Sequence, residues 1–210
     1  METALGIWPP YEAFYLESLL YCTNSALKSV DAVRVSLEQG ASHNPGTGEW
    51  NTHAETILNG IQNLAIQAAA LSRYFWPARN SELHLARARH LREGLGIDDS
   101  SPIRNRDLRN QIEHFDEELD RLCSGGVVGD VFPQYVGPFP GDSEVPRCIF
   151  RAYFTDRAMF ELLGRRYSMQ PIADQIVVLH SRLRACCDSG HRIRQAGSRD
   201  GALAPDRDDM

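Results

Sequence analysis

Residues 57–75 read Ile57-Leu58-Asn59-Gly60-Ile61-Gln62-Asn63-Leu64-Ala65-Ile66-Gln67-Ala68-Ala69-Ala70-Leu71-Ser72-Arg73-Tyr74-Phe75. Ile57, Ile61, Leu64, Ala68, Leu71 and Phe75 recur at alternating steps of four and three, which puts them on one stripe of an α-helix. The small run Ala68-Ala69-Ala70 lets a neighbouring helix approach closely. Pro77 ends this helix, because proline has no N–H to give and its ring clashes with the preceding turn.

The same period appears on both sides of this stretch. Leu16, Leu20, Leu27, Val30, Val33 and Leu37 mark a long helix that starts at Pro9-Pro10 and stops at Gly40. The Gly-, Asn-, Ser- and Pro-rich residues 39–51 read as an exposed loop between the two. Ser81 to Glu93 reads as a shorter helix with Leu83, Leu91 and Leu95 inward, broken by Gly94 and Gly96. Ser101-Pro102 opens a fourth, from Ile103 to Cys123, whose seam is Leu108, Ile112, Phe115, Leu119 and Leu122. Burying such seams is worth roughly 1.5–3 kcal/mol per large apolar side chain, so an up-and-down helical bundle is expected.

Two later segments break the helical pattern. The prolines and glycines of residues 125–146 predict a long surface loop or lid. Residues 147–164 predict a small C-terminal β-hairpin, with Cys148, Phe150, Ala152 and Phe154 alternating against Ile149, Arg151 and Tyr153 around a turn at Thr155-Asp156-Arg157. Pro171 starts a further helix that buries Ile172, Ile176, Leu179 and Leu183. Residues 188–210 carry almost no large apolar groups and predict a disordered tail. The expectation is therefore one mainly α domain over residues 1–187, followed by that tail.

Composition limits the function classes. No stretch approaches the roughly 18 apolar residues that span a bilayer, and the start lacks a signal-peptide pattern, which predicts a cytoplasmic protein with no membrane partner. The five cysteines are odd in number and scattered, so a disulfide framework is not expected. They lack C-x-x-C spacing and no H-E-x-x-H is present, so neither a metal nor another cofactor is expected. Walker spacing and a G-x-S-x-G elbow are missing too. A net charge of -6 disfavours coating of duplex nucleic acid, which needs a broad excess of cations. Local patches remain open: Lys28 is the only lysine, and arginine supplies planar forks suited to phosphate. Arg87, Arg89 and Arg92 on the third helix, with Arg106 on the fourth, are the candidate RNA-binding groups. A solvated charged face is the plainer account of them. Tyr74, Phe75 and Trp76 read as a helix-end aromatic anchor, with base stacking as the alternative.

One motif carries chemistry, Arg109-Asn110-Gln111-Ile112-Glu113-His114. An Arg-Asn-x-x-x-His run on a late helix of an α-helical bundle resembles the signature of HEPN proteins, helical domains found in many ribonucleases and toxins. The resemblance implies a metal-independent endoribonuclease site assembled from two subunits, acting by attack of the ribose 2′-hydroxyl, in a toxin or phage-defence setting with an antitoxin as a further partner. His114 would then be the general base or acid, since an imidazole exchanges protons near neutral pH. Arg109 would stabilise charge on the phosphate, and Asn110 would orient the imidazole or bind phosphate. On a helix Arg109 and His114 lie about 140° apart, so one copy does not converge them and a homodimer is implied. A second match, Arg79-Asn80 with His84, is the rival position for the same site. The plainer account of the first pairs Arg109 with Glu113 at i,i+4 and leaves Asn110 in solvent. A non-catalytic helical bundle that binds RNA or another protein is the alternative function.

Overall fold

The computed structural model describes residues 9–141 and 144–193. Helix α1 (Pro9–Gly40) and helix α2 (Gly48–Phe75) form a long hairpin. Ser18 Oγ lies 2.7 Å from the Tyr74 hydroxyl, and Asn63 Nδ2 donates to Ser29 Oγ at 2.7 Å, so the partners run in opposite order along the two helices. Leu16, Leu19, Leu20 and Ala26 of α1 are buried in one core with Ile57, Ile61, Leu64, Ala68, Leu71 and Phe75 of α2, the stripe that the sequence predicts. Thr47 caps α2, its hydroxyl accepting from the Trp50 N–H at 3.3 Å.

Helix α3 (Glu82–Leu95) is capped by Ser81 and stops at Gly96, which adopts a left-handed φ of 60°. Leu91 and Leu95 are buried as expected, but Leu83 is 62% exposed. The expectation that it points inward is wrong, because the first turn of α3 projects beyond the core and is held by its cap. A short 3-10 turn (Pro102–Arg104) leads into α4 (Arg106–Glu113) and α5 (Phe115–Ser124). The expected continuous fourth helix breaks at His114, whose φ of -119° and ψ of 36° are not helical. No residue of α5 is buried, so no core holds the two halves in line. Its acidic first turn, Asp116, Glu117 and Glu118, favours a new helix N-terminus.

The segment expected as loop and hairpin builds a four-stranded sheet instead. Strands β1 (Asp130–Gly137), β2 (Arg147–Phe154), β3 (Met159–Leu162) and β4 (Arg165–Ser168) lie side by side in chain order. The turn between β2 and β3 falls where the sequence predicts it. Two strands are additional. β4 follows beyond the expected hairpin, and β1 runs parallel to β2, pairing Val131 with Cys148 and Val136 with Tyr153, inside the segment expected to be loop. Pro133 is tolerated in β1 because, among the described residues, that strand has a neighbour on one side only. Val136, Tyr153, Phe160, Leu162 and Tyr167 join the helical core, while Ile149, Ala152 and Phe154 make a second small cluster with Phe139.

Helix α6 (Gln170–Asp188) buries Ile172, Ile176, Leu179 and Leu183 as predicted. It packs antiparallel to α1, with Thr23 Oγ1 3.1 Å from His180 Nδ1 and Cys187 Sγ 4.0 Å from Glu17 Oε1. The expected tail does not begin at residue 188. Ile193 is only 6% exposed and belongs to the main core; one isoleucine suffices because Gly94 leaves room for it. The remainder of that expectation, 194–210, lies outside the described residues. No helix among the described residues is long and apolar enough to cross a membrane. The chain is thus mainly helical with a small mixed sheet.

Candidate functional site

The junction from α2 to α4 gathers cationic side chains. Helix α2 ends at Phe75, and Trp76 follows in a non-helical conformation that directs the chain to Pro77. The α3 helix returns alongside, and the 3-10 turn places Arg104 and Arg106 opposite it. Together they enclose a cleft of about 320 Å³, lined by Arg89, Arg92, Arg104 and Arg106 around Trp76, with Phe75 and Pro77 among its apolar walls.

Its charges divide into two kinds. Arg92 and Arg104 converge on Asp99, at 2.9 and 3.2 Å, and stack over the Trp76 ring at 5.9 and 5.8 Å from its centroid. The Trp76 indole N–H donates to the same carboxylate at 2.9 Å. That hydrogen bond and the two guanidiniums hold the Asp99 carboxyl below its ordinary pKa, so it stays ionised. Arg89 and Arg106, by contrast, have no acidic partner among the described residues. Among the described residues the cleft therefore carries four guanidiniums against one carboxylate, in a chain whose net charge is -6.

Three of the four candidate RNA-binding arginines, Arg89, Arg92 and Arg106, thus meet at one place. Arg87 does not. Its guanidinium donates to the Arg73 carbonyl at 3.0 Å and lies over Tyr15 and Tyr74, fastening α3 to the first two helices. Arg104 is the cleft residue that sequence reasoning missed, while Trp76 entered it only as the stacking alternative to a helix-end anchor. The signal available for Arg104 was an arginine two places before Arg106.

The Arg-Asn-x-x-x-His motif is not brought together within one chain. Asn105 caps α4, accepting from the Leu108 N–H at 2.9 Å, and this sets the rotation of the helix. Arg109 then turns inward and is 7% exposed, with its Nε hydrogen bonded to no group among the described residues. Gln111 is 2% exposed, and neither its amide nitrogen nor its amide oxygen is partnered there. Asn110 faces solvent. The His114 side chain is 56% exposed at the break between α4 and α5, with Nδ1 3.4 Å from Glu117 Oε1. Glu113 pairs with Arg73 at 2.6 Å rather than with Arg109. At the rival position Arg79 and Asn80 are exposed, and His84 Nδ1 lies 2.7 Å from the Ser81 hydroxyl that caps α3.

Chemically, the cleft can hold an anion with a flat apolar group beside it, and the exposed imidazole can transfer a proton at the surface. Searches of family models, curated proteins and solved structures found no match to this chain.

Proposed function

We propose that this protein is a HEPN-like helical bundle, cytoplasmic in setting, that binds single-stranded RNA through the cleft at Trp76. One observation carries this: Arg89 and Arg106 face the same cleft without acidic partners among the described residues, in a chain that is acidic overall. Unpaired guanidiniums present two-pronged donors that match phosphate oxygens. Trp76, Phe75 and Pro77 supply apolar surface for a base or ribose, as in single-strand binders that combine a basic groove with aromatic platforms. A cleft of this size admits a nucleotide-sized unit and excludes a duplex. RNA is preferred over other polyanions because of the motif on the adjacent α4.

The test is fluorescence anisotropy with a labelled mixed-sequence single-stranded RNA. Arg89→Ala with Arg106→Ala should weaken binding at least about tenfold, since each charged hydrogen bond is worth about 1.5–3 kcal/mol. Unchanged affinity in a folded double variant refutes the reading.

Cleavage is a second reading, favoured by the water-accessible His114 ring with a carboxylate beside Nδ1, which leaves Nε2 toward solvent. In that reading His114 serves as general base or acid in metal-independent attack by the 2′-hydroxyl. Because Arg109 is buried, and is so in each copy of a homodimer, the phosphate charge in this reading falls to an exposed arginine such as Arg106 brought to His114 by the second copy. The toxin or phage-defence role with an antitoxin partner, which the family resemblance implies, belongs to this cleavage reading alone. RNA incubated with the protein and a chelator should be cut, and His114→Ala should abolish cutting. Loss in His84→Ala instead moves the site to the rival position.

A further inference from the structure

We propose that Glu17, Cys187 and His191 bind a divalent transition metal of zinc type through one carboxylate, one thiolate and one imidazole. The three ligand atoms lie within 4.8 Å of one another. His191 Nε2 is 2.6 Å from Glu17 Oε1, and Cys187 Sγ is 4.0 Å from the same oxygen. Tetrahedral zinc with ordinary bond lengths separates its ligand atoms by roughly 3.2–3.8 Å. The imidazole and carboxylate must therefore part by less than about an ångström, and the thiol must close by a few tenths of an ångström toward the carboxylate and by no more than about 1.3 Å toward the imidazole. Glu17 is exposed and the other two are half-buried, so those adjustments meet little packing.

The backbone brings the donors together. Cys187 sits in the last turn of α6, where Gly190, at φ 88°, and His191, at φ 59°, reverse the chain. Left-handed backbone is adopted freely by glycine but is uncommon for histidine. The His191 and Arg192 N–H groups donate back to the Cys187 and Cys186 carbonyls, both at 3.3 Å, which closes the turn. Arg192 then meets Glu12, and Ile193 enters the core. His191 is thereby held over Cys187 and against α1 by contacts on both sides of it.

Thiolate with imidazole selects borderline metals over magnesium or calcium, which prefer oxygen ligands. Three protein donors with one exposed member leave the fourth position to water. Binding replaces the Cys187 S–H bond with a sulfur–metal bond and releases that proton to solvent. The metal would fasten the end of α6 to α1. This site is separate from the Trp76 cleft, so the two proposals stand or fall independently.

The test is titration of the reduced, metal-stripped full chain with Co(II), the spectroscopic substitute for zinc. One equivalent should bind with a thiolate-to-cobalt charge-transfer band, Zn(II) should displace it, and Zn(II) should raise the Tm. Cys187→Ser should abolish the band. Glu17→Ala and His191→Ala should each weaken binding at least about tenfold, the lower limit expected for losing a group that shapes a metal site. Cys123→Ser, an exposed thiol remote in sequence, should leave the titration unchanged. The proposal is overturned if no band forms, or if the band survives Cys187→Ser. Should Cys187→Ser fail to fold, His191→Ala decides, because His191 lies outside the helices: unaltered binding in that variant also overturns it, and surface ion pairing of His191 with Glu17 is then all that the cluster does.

Discussion

The side chain of Ile193 fills the space that a β-carbon on Gly94 would occupy. The glycine that sequence reasoning takes for a helix breaker is therefore a docking notch inside α3. Gly94→Ala should destabilise the protein by about 1–3 kcal/mol through overpacking, against the gain of up to about 1 kcal/mol that alanine brings to a helix. Urea denaturation measures this. Combining Gly94→Ala with Ile193→Ala should cost less than the sum of the two, since both act on one contact. A Gly94→Ala variant as stable as the parent shows that the 189–193 turn does not dock there.

Glu12 is 1% exposed, with His90 Nε2 2.7 Å from one carboxylate oxygen and Arg192 Nε 2.6 Å from the other. The second approach is close but lacks hydrogen-bond alignment, so Arg192 contributes mainly as a charge. A buried carboxylate that loses its partners typically costs about 3–5 kcal/mol. His90→Ala with Arg192→Ala should fall in that range, and adding Glu12→Gln should recover a large part of it. Equal stability of the double and triple variants argues against a charged Glu12.

Tyr167 of β4 is buried and donates its hydroxyl to Asp107 of α4 at 3.0 Å. Burial, then that hydrogen bond and the negative charge of Asp107, push the phenol pKa up. A group whose pKa is raised on folding contributes stability that is whole below its unfolded value, about 10, and is lost as pH climbs above it. Stability should therefore decline above about pH 10. Tyr167→Phe should flatten that decline and cost about 1.5–3 kcal/mol at neutral pH, the worth of a hydrogen bond to a charged acceptor. An unaltered alkaline limb in Tyr167→Phe excludes this phenol as its origin.

RNA affinity should fall with salt, and the salt dependence reports the phosphates engaged. Single strands lose about 0.7 in slope of log K against log salt per phosphate neutralised. Replacing Arg89 and Arg106 together should reduce the slope by about 1.4. Trp76→Ala should weaken binding at all salt concentrations with a small change in slope, because stacking is worth about 1–3 kcal/mol per base without neutralising charge. It also frees Asp99 to compete for Arg89 and Arg106, so Trp76→Phe is the cleaner comparison.

Helices α1, α2 and α6 were legible because their apolar period and their proline and glycine boundaries are local signals. Strand β1 was not. Its pairing with β2 is written in no neighbouring residue, and Pro133 together with flanking glycines imitates a loop. The break at His114 escaped the reading because Phe115, Leu119 and Leu122 keep the helical period across it, although none of them is fully buried. The basic face of α3 was visible as a row of arginines. That it folds onto Trp76 and Arg104 depends on a turn at Gly96 and a 3-10 segment, whose direction no periodicity encodes. Glu17 and His191 are separated by 174 positions, beyond any spacing rule for ligands.

Pro133 has a bearing on the behaviour of concentrated solutions. Among the described residues β1 is an outer strand that carries the exposed apolar residues Val131 and Phe132 with Val128 just before it, a combination prone to templating strand addition by another molecule. A proline interrupts the row of amide donors that such a templated strand requires, and so acts as a gatekeeper against fibril growth. Pro133→Thr, which restores the missing amide, should shorten the lag before turbidity appears in warm, concentrated samples while leaving the monomer's helical signal intact.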